Sequence, residues 1–264
     1  MKNLKGKVVW ITGASSGIGE ELAYALAREG SFLILSARNK EMLGQVKAKC
    51  LQHTPKCWVH PVDLSANQQL DALVKAVLAQ VGHIDVLINN AGRSQRSLAQ
   101  ETPIEIDRNI MELNFFSVVA LTKLVLPQMF KNGSGHVVVI SSIAGKLGFP
   151  MRTAYSASKH ALQGYFESLR AELTKDNIKV TIVSPGRIKT NISVNALTKD
   201  GSAYNRMDEG QANGMDAALC ASKIVKAIKK ERKELLVGKT EIFMIYIRRF
   251  LPALYYKLVT RIKN

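Results

Sequence analysis

Short apolar, β-rich runs alternate along the chain with longer stretches of helical periodicity. The runs are Lys7-Val-Val-Trp-Ile-Thr12, Phe32-Leu-Ile-Leu-Ser-Ala37, Cys57-Trp-Val-His-Pro61, Ile84-Asp-Val-Leu-Ile-Asn89, residues 136–141 and Lys179-Val-Thr-Ile-Val-Ser184. Between them apolar residues return at three- and four-residue spacing, which predicts helices over 17–30, 66–81, 103–131 and 153–175. At least six strands separated by helices describe one α/β domain, a doubly wound parallel sheet with helices on both faces. A length of 264 residues suits such a domain and its core.

The turn after the first run reads Gly13-Ala-Ser-Ser-Gly17-Ile-Gly19, and a helical pattern opens directly behind it. Strand, glycine turn and helix N-terminus together make a dinucleotide-phosphate site. Glycines let the backbone approach a pyrophosphate, and free amides with the helix dipole favour its charge. The spacing is Gly-x-x-x-Gly-x-Gly, not the commoner Gly-x-Gly-x-x-Gly. The position of the turn, at the end of the first strand, sets it apart from an ordinary glycine-rich loop. After the second run stands Arg38, where a carboxylate would receive the ribose of NAD. A guanidinium there matches a 2′-phosphate, which favours NADP(H) over NAD(H); a solvated loop arginine is the alternative. Asp63 touches an adenine edge or caps the helix behind it. Asn89 and Asn90 can tie strand ends together, and Gly92 permits close cofactor approach.

Downstream, Ser142 ends a β run and Tyr155-Ser-Ala-Ser-Lys159 lies in a predicted helix. Residues four apart share a helix face, so Lys159 can favour ionisation of the Tyr155 phenol and make it a usable acid/base. Ser142, from another element, can hold a carbonyl oxygen. With Thr12-Gly13-x-x-x-Gly17-x-Gly19, Asp63-Leu64, Asn89-Asn90-Ala91-Gly92, Asn114 and Pro185-Gly186, the chain resembles the short-chain dehydrogenase/reductase family from about Lys5 to Gly238. The resemblance implies a single-domain Rossmann fold with a mainly parallel seven-stranded sheet. It implies a catalytic tetrad in which Tyr155 exchanges the proton, Lys159 holds the nicotinamide ribose and lowers the tyrosine pKa, Ser142 orients the carbonyl, and Asn114 positions a relay water. Cofactor contacts are expected from Gly13, Ser15, Ser16, Gly17, Ile18, Gly19, Arg38, Asp63, Leu64, Asn90, Ala91, Gly92, Tyr155, Lys159, Pro185, Gly186, Ile188 and Thr190. Thr190 would meet the nicotinamide carboxamide.

Charge and hydropathy then single out the end of the chain. The formal net charge is +16, and from 223 to 264 twelve Lys/Arg face three Glu. Within the last segment, from Ile242 on, no acid occurs, while Ile247, Phe250, Leu251, Leu254, Tyr255, Leu258 and Ile262 recur at helical spacing with Arg249, Lys257 and Arg261 toward another side. Pro252 must start or kink that helix. Such a segment can lie on an anionic membrane surface or pack on its own fold or on a second subunit. Its apolar runs fall short of the roughly 20 residues of a transmembrane span. The tail resembles a branch of the family that includes lipid- and steroid-active reductases, many with an N-terminal anchor. Met1 to Gly6 is a short polar lead into the first strand, so the expectation is a cytoplasmic, non-secreted protein, peripheral at most. Nucleic acid fits the basic excess less well because the stripe is apolar. Neither Cys50, Cys57 and Cys220 nor the five histidines show metal spacing, and the thiols read as reduced.

The expected organisation is a dinucleotide-binding and catalytic domain over 1–240, with 188–216 as substrate lid and 241–264 as tail. The expected partners are an apolar carbonyl or alcohol substrate and a second or further copies in a homodimer or homotetramer. An NAD-dependent alcohol dehydrogenase is the alternative enzyme, and a non-catalytic NADPH-sensing protein the alternative class.

Overall fold

The computed structural model describes residues 2–260. Its strands are β1 (Val8–Thr12), β2 (Phe32–Ala37), β3 (Cys57–Pro61), β4 (Val86–Asn89), β5 (Gly135–Ile140), β6 (Ile178–Pro185) and β7 (Glu234–Val237). The α-helices are α1 (Gly17–Arg28), α2 (Lys40–Cys50), α3 (Leu70–Val81), α4 (Ile104–Met111), α5 (Ser117–Lys131), α6 (Thr153–Glu172), α7 (Glu209–Ala212), α8 (Ala217–Lys229), α9 (Phe243–Phe250) and α10 (Pro252–Val259). All strands pair in parallel, in the order β3-β2-β1-β4-β5-β6-β7. Strand order reverses at β1, and in such sheets a crevice opens there, beyond the carboxyl ends of the strands.

The five residues of β1 are all buried, as expected for a strand covered on both faces. Their alternation feeds two cores. Val9 and Ile11 pack with Leu22, Leu26 and Ile224, whereas Val8 and Trp10 pack with Val74, Leu121 and Phe166. Trp10 also donates its indole N–H to Ser36 Oγ at 3.0 Å, so its polar atom is not stranded.

Element ends differ from the periodicity where local chemistry intervenes. The first helix stops at Arg28, and Gly30 turns with φ 76°. A 3₁₀ turn, Asn67–Gln69, precedes α3, and another, Leu173–Lys175, follows α6. The helices α2 and α8 and the short edge strand β7 lie outside the elements that periodicity predicts. The predicted helix over 103–131 is interrupted by a π turn, Glu112–Phe116, between α4 and α5. The span Ile104–Lys131 is long and apolar enough to cross a bilayer, yet Leu121, Val125 and Met129 are buried in the core.

At the end of the chain the expected single helix breaks. Leu251 leaves helical geometry before Pro252, as the residue preceding a proline commonly does, and α9 and α10 result. The stripe divides between environments. Tyr255 is buried and donates to Gly148 O at 2.8 Å, Ile247 and Leu258 are half-buried, and Phe250, Leu251 and Leu254 are exposed. Arg261 and Ile262 lie outside the described residues. Sequence spacing gave no pairing among the cysteines, but folding brings the buried, free thiols of Cys50 and Cys57 into hydrogen-bonding contact.

Candidate active site

A cleft of about 820 Å³ lies across the carboxyl ends of the strands, within the size range of small-molecule sites. One wall is the glycine turn. Gly13 and Gly17 adopt φ of 64° and 59°, in the left-handed region that glycine enters freely. A Cβ on Gly13 would stand 2.8 Å from Ala91 Cα, and one on Gly19 only 2.1 Å from Gly13 O. Ser16 precedes α1 without a side-chain cap, so the first-turn amides at the cleft wall are left for another acceptor. That cradle fits a pyrophosphate. Gly13, Ser15, Ser16, Gly17 and Ile18 line the cleft, but Gly19 sits behind the turn and serves close packing instead. Thr12 closes the back: its Oγ1 accepts the amides of Asn90 and Ala91 at 3.0 and 3.1 Å, while Asn90 Nδ2 donates to Thr12 O and Gly13 O.

Ser142, Tyr155 and Lys159 meet in the same cleft. Ser142 follows β5 and caps a 3₁₀ turn, accepting Ala144 N at 3.1 Å and donating to Pro185 O at 3.4 Å. Gly145 in that turn brings it against α6; a Cβ there would lie 2.5 Å from both Lys159 O and Ser141 Oγ. Gln163 fastens α6 to the sheet by donating to Ser141 Oγ and Ser184 Oγ at 3.0 and 2.9 Å. Lys159 is buried, its Nζ donating to Ile140 O at 2.9 Å and standing 5.9 Å from the Tyr155 ring centroid.

The electrostatics depart from the expected pair. Burial raises the Tyr155 phenol, and the groups that draw it back are Ser142 by hydrogen bonding and then the charges of Arg96 and Arg152. Lys159 is not among them; its ammonium is turned to the strand carbonyl, and burial lowers its own pKa to about 8. Asn114 also departs from expectation. It is fully buried in the π turn and does not line the cleft. Its Oδ1 accepts Arg93 N at 2.8 Å, and its Nδ2 donates to Arg93 O and Ser158 Oγ at 2.9 and 3.0 Å. Both Asn114 Oδ1 and Lys159 Nζ crowd Gly92, within 3.2 and 3.4 Å of where a Cβ would stand.

At the other end, Arg38, Asp63, Leu64 and Arg93 line the cleft. Asp63 accepts Ser65 N and Ser65 Oγ at 3.0 and 2.6 Å in a local turn and caps no helix, since the 3₁₀ turn begins at Asn67 and α3 at Leu70 behind Gln69; it still borders the cleft. Those bonds, with the charges of Arg38 and Arg93, hold its carboxyl below its usual value. Arg93 was missed in the sequence because it follows the Asn-Asn-Ala-Gly motif without belonging to it. Burial and the neighbouring Arg38 lower its pKa, against the opposing pull of Asp63.

The remaining expected contacts, Ala91, Gly92, Pro185, Gly186, Ile188 and Thr190, border the cleft, and the Thr190 methyl lies 3.1 Å from where a Gly17 Cβ would stand. Segment 188–216 is strapped to residues 94–97: Arg96 N donates to Leu197 O at 2.8 Å and Leu197 N to Ser94 O at 2.9 Å. Arg96, 3 % exposed, pairs with the Asp208 carboxylate, 8 % exposed, which also accepts Arg152 at 3.1 Å. Burial alone would raise the Asp208 carboxyl, but hydrogen bonds and charge from Arg96 and Arg152 bring it below its usual value. No periodicity or motif signals a pair 112 residues apart. Among the described residues no group of three or more His, Cys, Asp or Glu could hold a metal ion.

A family model described as short chain dehydrogenase matches residues 7–201. The dehydrogenase/reductase SDR family member 7B of Xenopus laevis is 43% identical over 266 residues, which cover 97% of this chain and 82% of that protein. An alcohol dehydrogenase from the archaeon Thermococcus sibiricus, solved with 5-hydroxy-NADP, superposes with a TM-score of 0.76 at 25% identity, covering 89% of this chain and 97% of that one. A short chain dehydrogenase/reductase from Burkholderia phymatum, solved with NAD, gives a TM-score of 0.85 and covers 96% of each chain; at 23% identity it speaks to the fold alone. On the family model and the near full-length relative, this chain belongs to the short-chain dehydrogenase/reductase family, oxidoreductases that act on CH–OH groups with a nicotinamide cofactor.

Proposed function

We propose that the protein is an NADP(H)-dependent oxidoreductase that passes a hydride between the nicotinamide and a carbonyl or secondary alcohol of an apolar, lipid- or steroid-like substrate. The observation that carries this reading is the meeting of Ser142, Tyr155 and Lys159 in one cleft with the glycine turn, with two arginines at the far end. The cofactor, when bound, supplies or accepts the hydride. Ser142 and Tyr155 donate hydrogen bonds to the substrate oxygen as it gains negative charge, where such donors stabilise most. Burial keeps the phenol protonated beforehand, so Tyr155 starts as the acid, and Ser142, Arg96 and Arg152 ease the charge left on it. Lys159 holds the ribose, and Asn114 fixes the Gly92–Arg93 backbone and, through Ser158, the first turn of α6. The relay water of the family pattern would use the remaining lone pair of Asn114 Oδ1.

Arg38 and Arg93, both close enough to Asp63 to act on its charge, favour a 2′-phosphate over a bare ribose, and so NADP(H) over the NAD-dependent alternative. Segment 188–216 covers the substrate end as a lid on the 1–240 domain. Assembly into a homodimer or homotetramer, a cytoplasmic setting and contact of the tail with a membrane surface complete the reading. The test is turnover of ketones, steroids, retinals and long-chain keto lipids with NADPH and NADH. Tyr155→Phe should abolish turnover and spare cofactor binding, and retained turnover would refute its role. Arg38→Ala and Arg93→Ala should each weaken NADPH binding about tenfold or more while leaving NADH unchanged. Equal NADPH and NADH affinity in the unaltered protein would remove the cofactor preference.

A further inference from the structure

The tail presents a face that the other described residues do not cover. On α9, Phe243, Tyr246 and Phe250 fall on one side and are 65, 49 and 74 % exposed. Leu251 and Leu254 continue into α10 at 56 and 43 %, and Tyr256, 63 % exposed, stands on the other side of the buried Tyr255. Six large apolar side chains exposed within fourteen residues exceed the scattered apolar exposure of ordinary surfaces. Arg249 and Lys257 are exposed beside them.

Acids are removed from this face twice over. Residues 242–264 contain none. Glu241, just before it, turns inward, its carboxylate accepting Arg187 N at 2.8 Å and Lys239 N at 3.1 Å. Aromatic rings rimmed by cations, without acids, match the headgroup region of an anionic bilayer, where rings enter the interface and cations meet phosphate.

The tail is also fixed to the cleft. It leaves the carboxyl end of β7, beside Gly186, whose N–H donates to Val237 O at 2.8 Å. Its far end is held by Tyr255 Oη donating to Gly148 O and by Arg248 donating to Lys146 O, both in the loop between Ser142 and Tyr155. Because every strand runs parallel, the tail and the cleft share one edge of the sheet.

We propose that the exposed aromatic–basic face of α9 and α10 seats on an anionic lipid bilayer and sets the catalytic edge of the sheet against it, so that an apolar substrate enters the cleft from the lipid. The entry route rests on the reading of an apolar-carbonyl reductase; the docking does not. The experiment is flotation of the full chain with phosphatidylcholine vesicles and with vesicles containing phosphatidylserine, at low and high salt. A Phe250→Ser, Leu254→Ser double variant, altered only at exposed positions, runs in parallel with its melting temperature and NADPH binding measured.

The expected result is flotation with phosphatidylserine vesicles that weakens with salt. The double variant should lose it by about tenfold or more, in keeping with the apolar area withdrawn from the interface, with folding and NADPH binding unchanged. Turnover of a long-chain ketone held in phosphatidylserine vesicles should fall with it, while turnover of a water-soluble ketone should not. Absence of flotation, flotation unaffected by the variant, or a dimer that the variant dissociates would overturn the docking. Flotation with equal loss of both turnovers would overturn the entry route. Flotation with no ketone turnover in vesicles, detergent or water would strike the reductase reading and leave the docking standing.

Discussion

Replacing Asp208 with Asn withdraws the carboxylate that lies between two arginine side chains where segment 188–216 is strapped to residues 94–97. Arg96 is 3 % exposed and Arg152 15 %, so neither guanidinium is well solvated once its counter-ion is gone. Breaking a buried ion pair from one side costs about 3–5 kcal/mol, because the partner charge stays buried and unpaired. For a chain near this size, each kcal/mol moves the melting temperature by roughly 2–4 °C, so a fall of about 6–20 °C is expected. The carboxyl is held below its unfolded value, so its contribution is fully present above about pH 4 and fades as pH falls through the folded value. Thermal melts of the wild type and Asp208→Asn at pH 7 and pH 3.5 should therefore converge toward the acid end. An Arg96→Met, Asp208→Leu double variant, which removes the more buried guanidinium with the carboxylate and leaves only Arg152 unpaired, should melt above Asp208→Asn. A shift below about 2 °C for Asp208→Asn at pH 7, or a double variant no better than the single one, would show that the strap does not depend on this pair.

Two further outcomes follow from the site. Lys159 has a folded pKa of about 8, below its unfolded value, so the unfolded chain holds the extra proton between there and about 10.5, and stability should rise with pH across that window. Lys159→Met should stabilise the cofactor-free protein by about 2 kcal/mol at pH 7, after loss of the bond to Ile140 O, while abolishing turnover; melts from pH 7 to 10 that rise equally in both proteins would refute this. Gly19→Ala places a methyl 2.1 Å from Gly13 O and should cost at least tenfold in cofactor affinity by titration. Gly44→Ala, on an exposed turn of α2 with nothing within 4 Å, should instead raise stability by about 0.5–1 kcal/mol.

Much of the fold was legible because its signals are local. Six of the seven strands show as apolar runs, and the glycine turn shows because φ near +60° and close backbone approach select glycine in the sequence itself. Helix α2, with Lys40, Glu41, Lys47 and Lys49 and few buried residues, carries too weak a periodicity to stand out in the sequence. The short edge strand β7, half exposed, gave almost none. The spacing of Tyr155 and Lys159 put both on one helix face, and both line the cleft. It did not tell which way the ammonium points, since that depends on the Ile140 carbonyl at the end of another strand.

The sequence by itself determined the order of six strands and of the helices with strong periodicity, the glycine turn, and the shared helix face of Tyr155 and Lys159, because each depends on neighbours within a few positions. Tertiary structure alone decided that Arg93 joins Arg38 beside Asp63, that Asn114 lies behind the cleft wall, and that Asp208 bridges Arg96 and Arg152. It also divided the tail into a buried anchor at Tyr255 and an exposed aromatic face. These outcomes depend on which distant groups a parallel sheet brings to one edge and how far water is excluded there, and side-chain burial and charge pairing at that range leave no periodic trace in the chain.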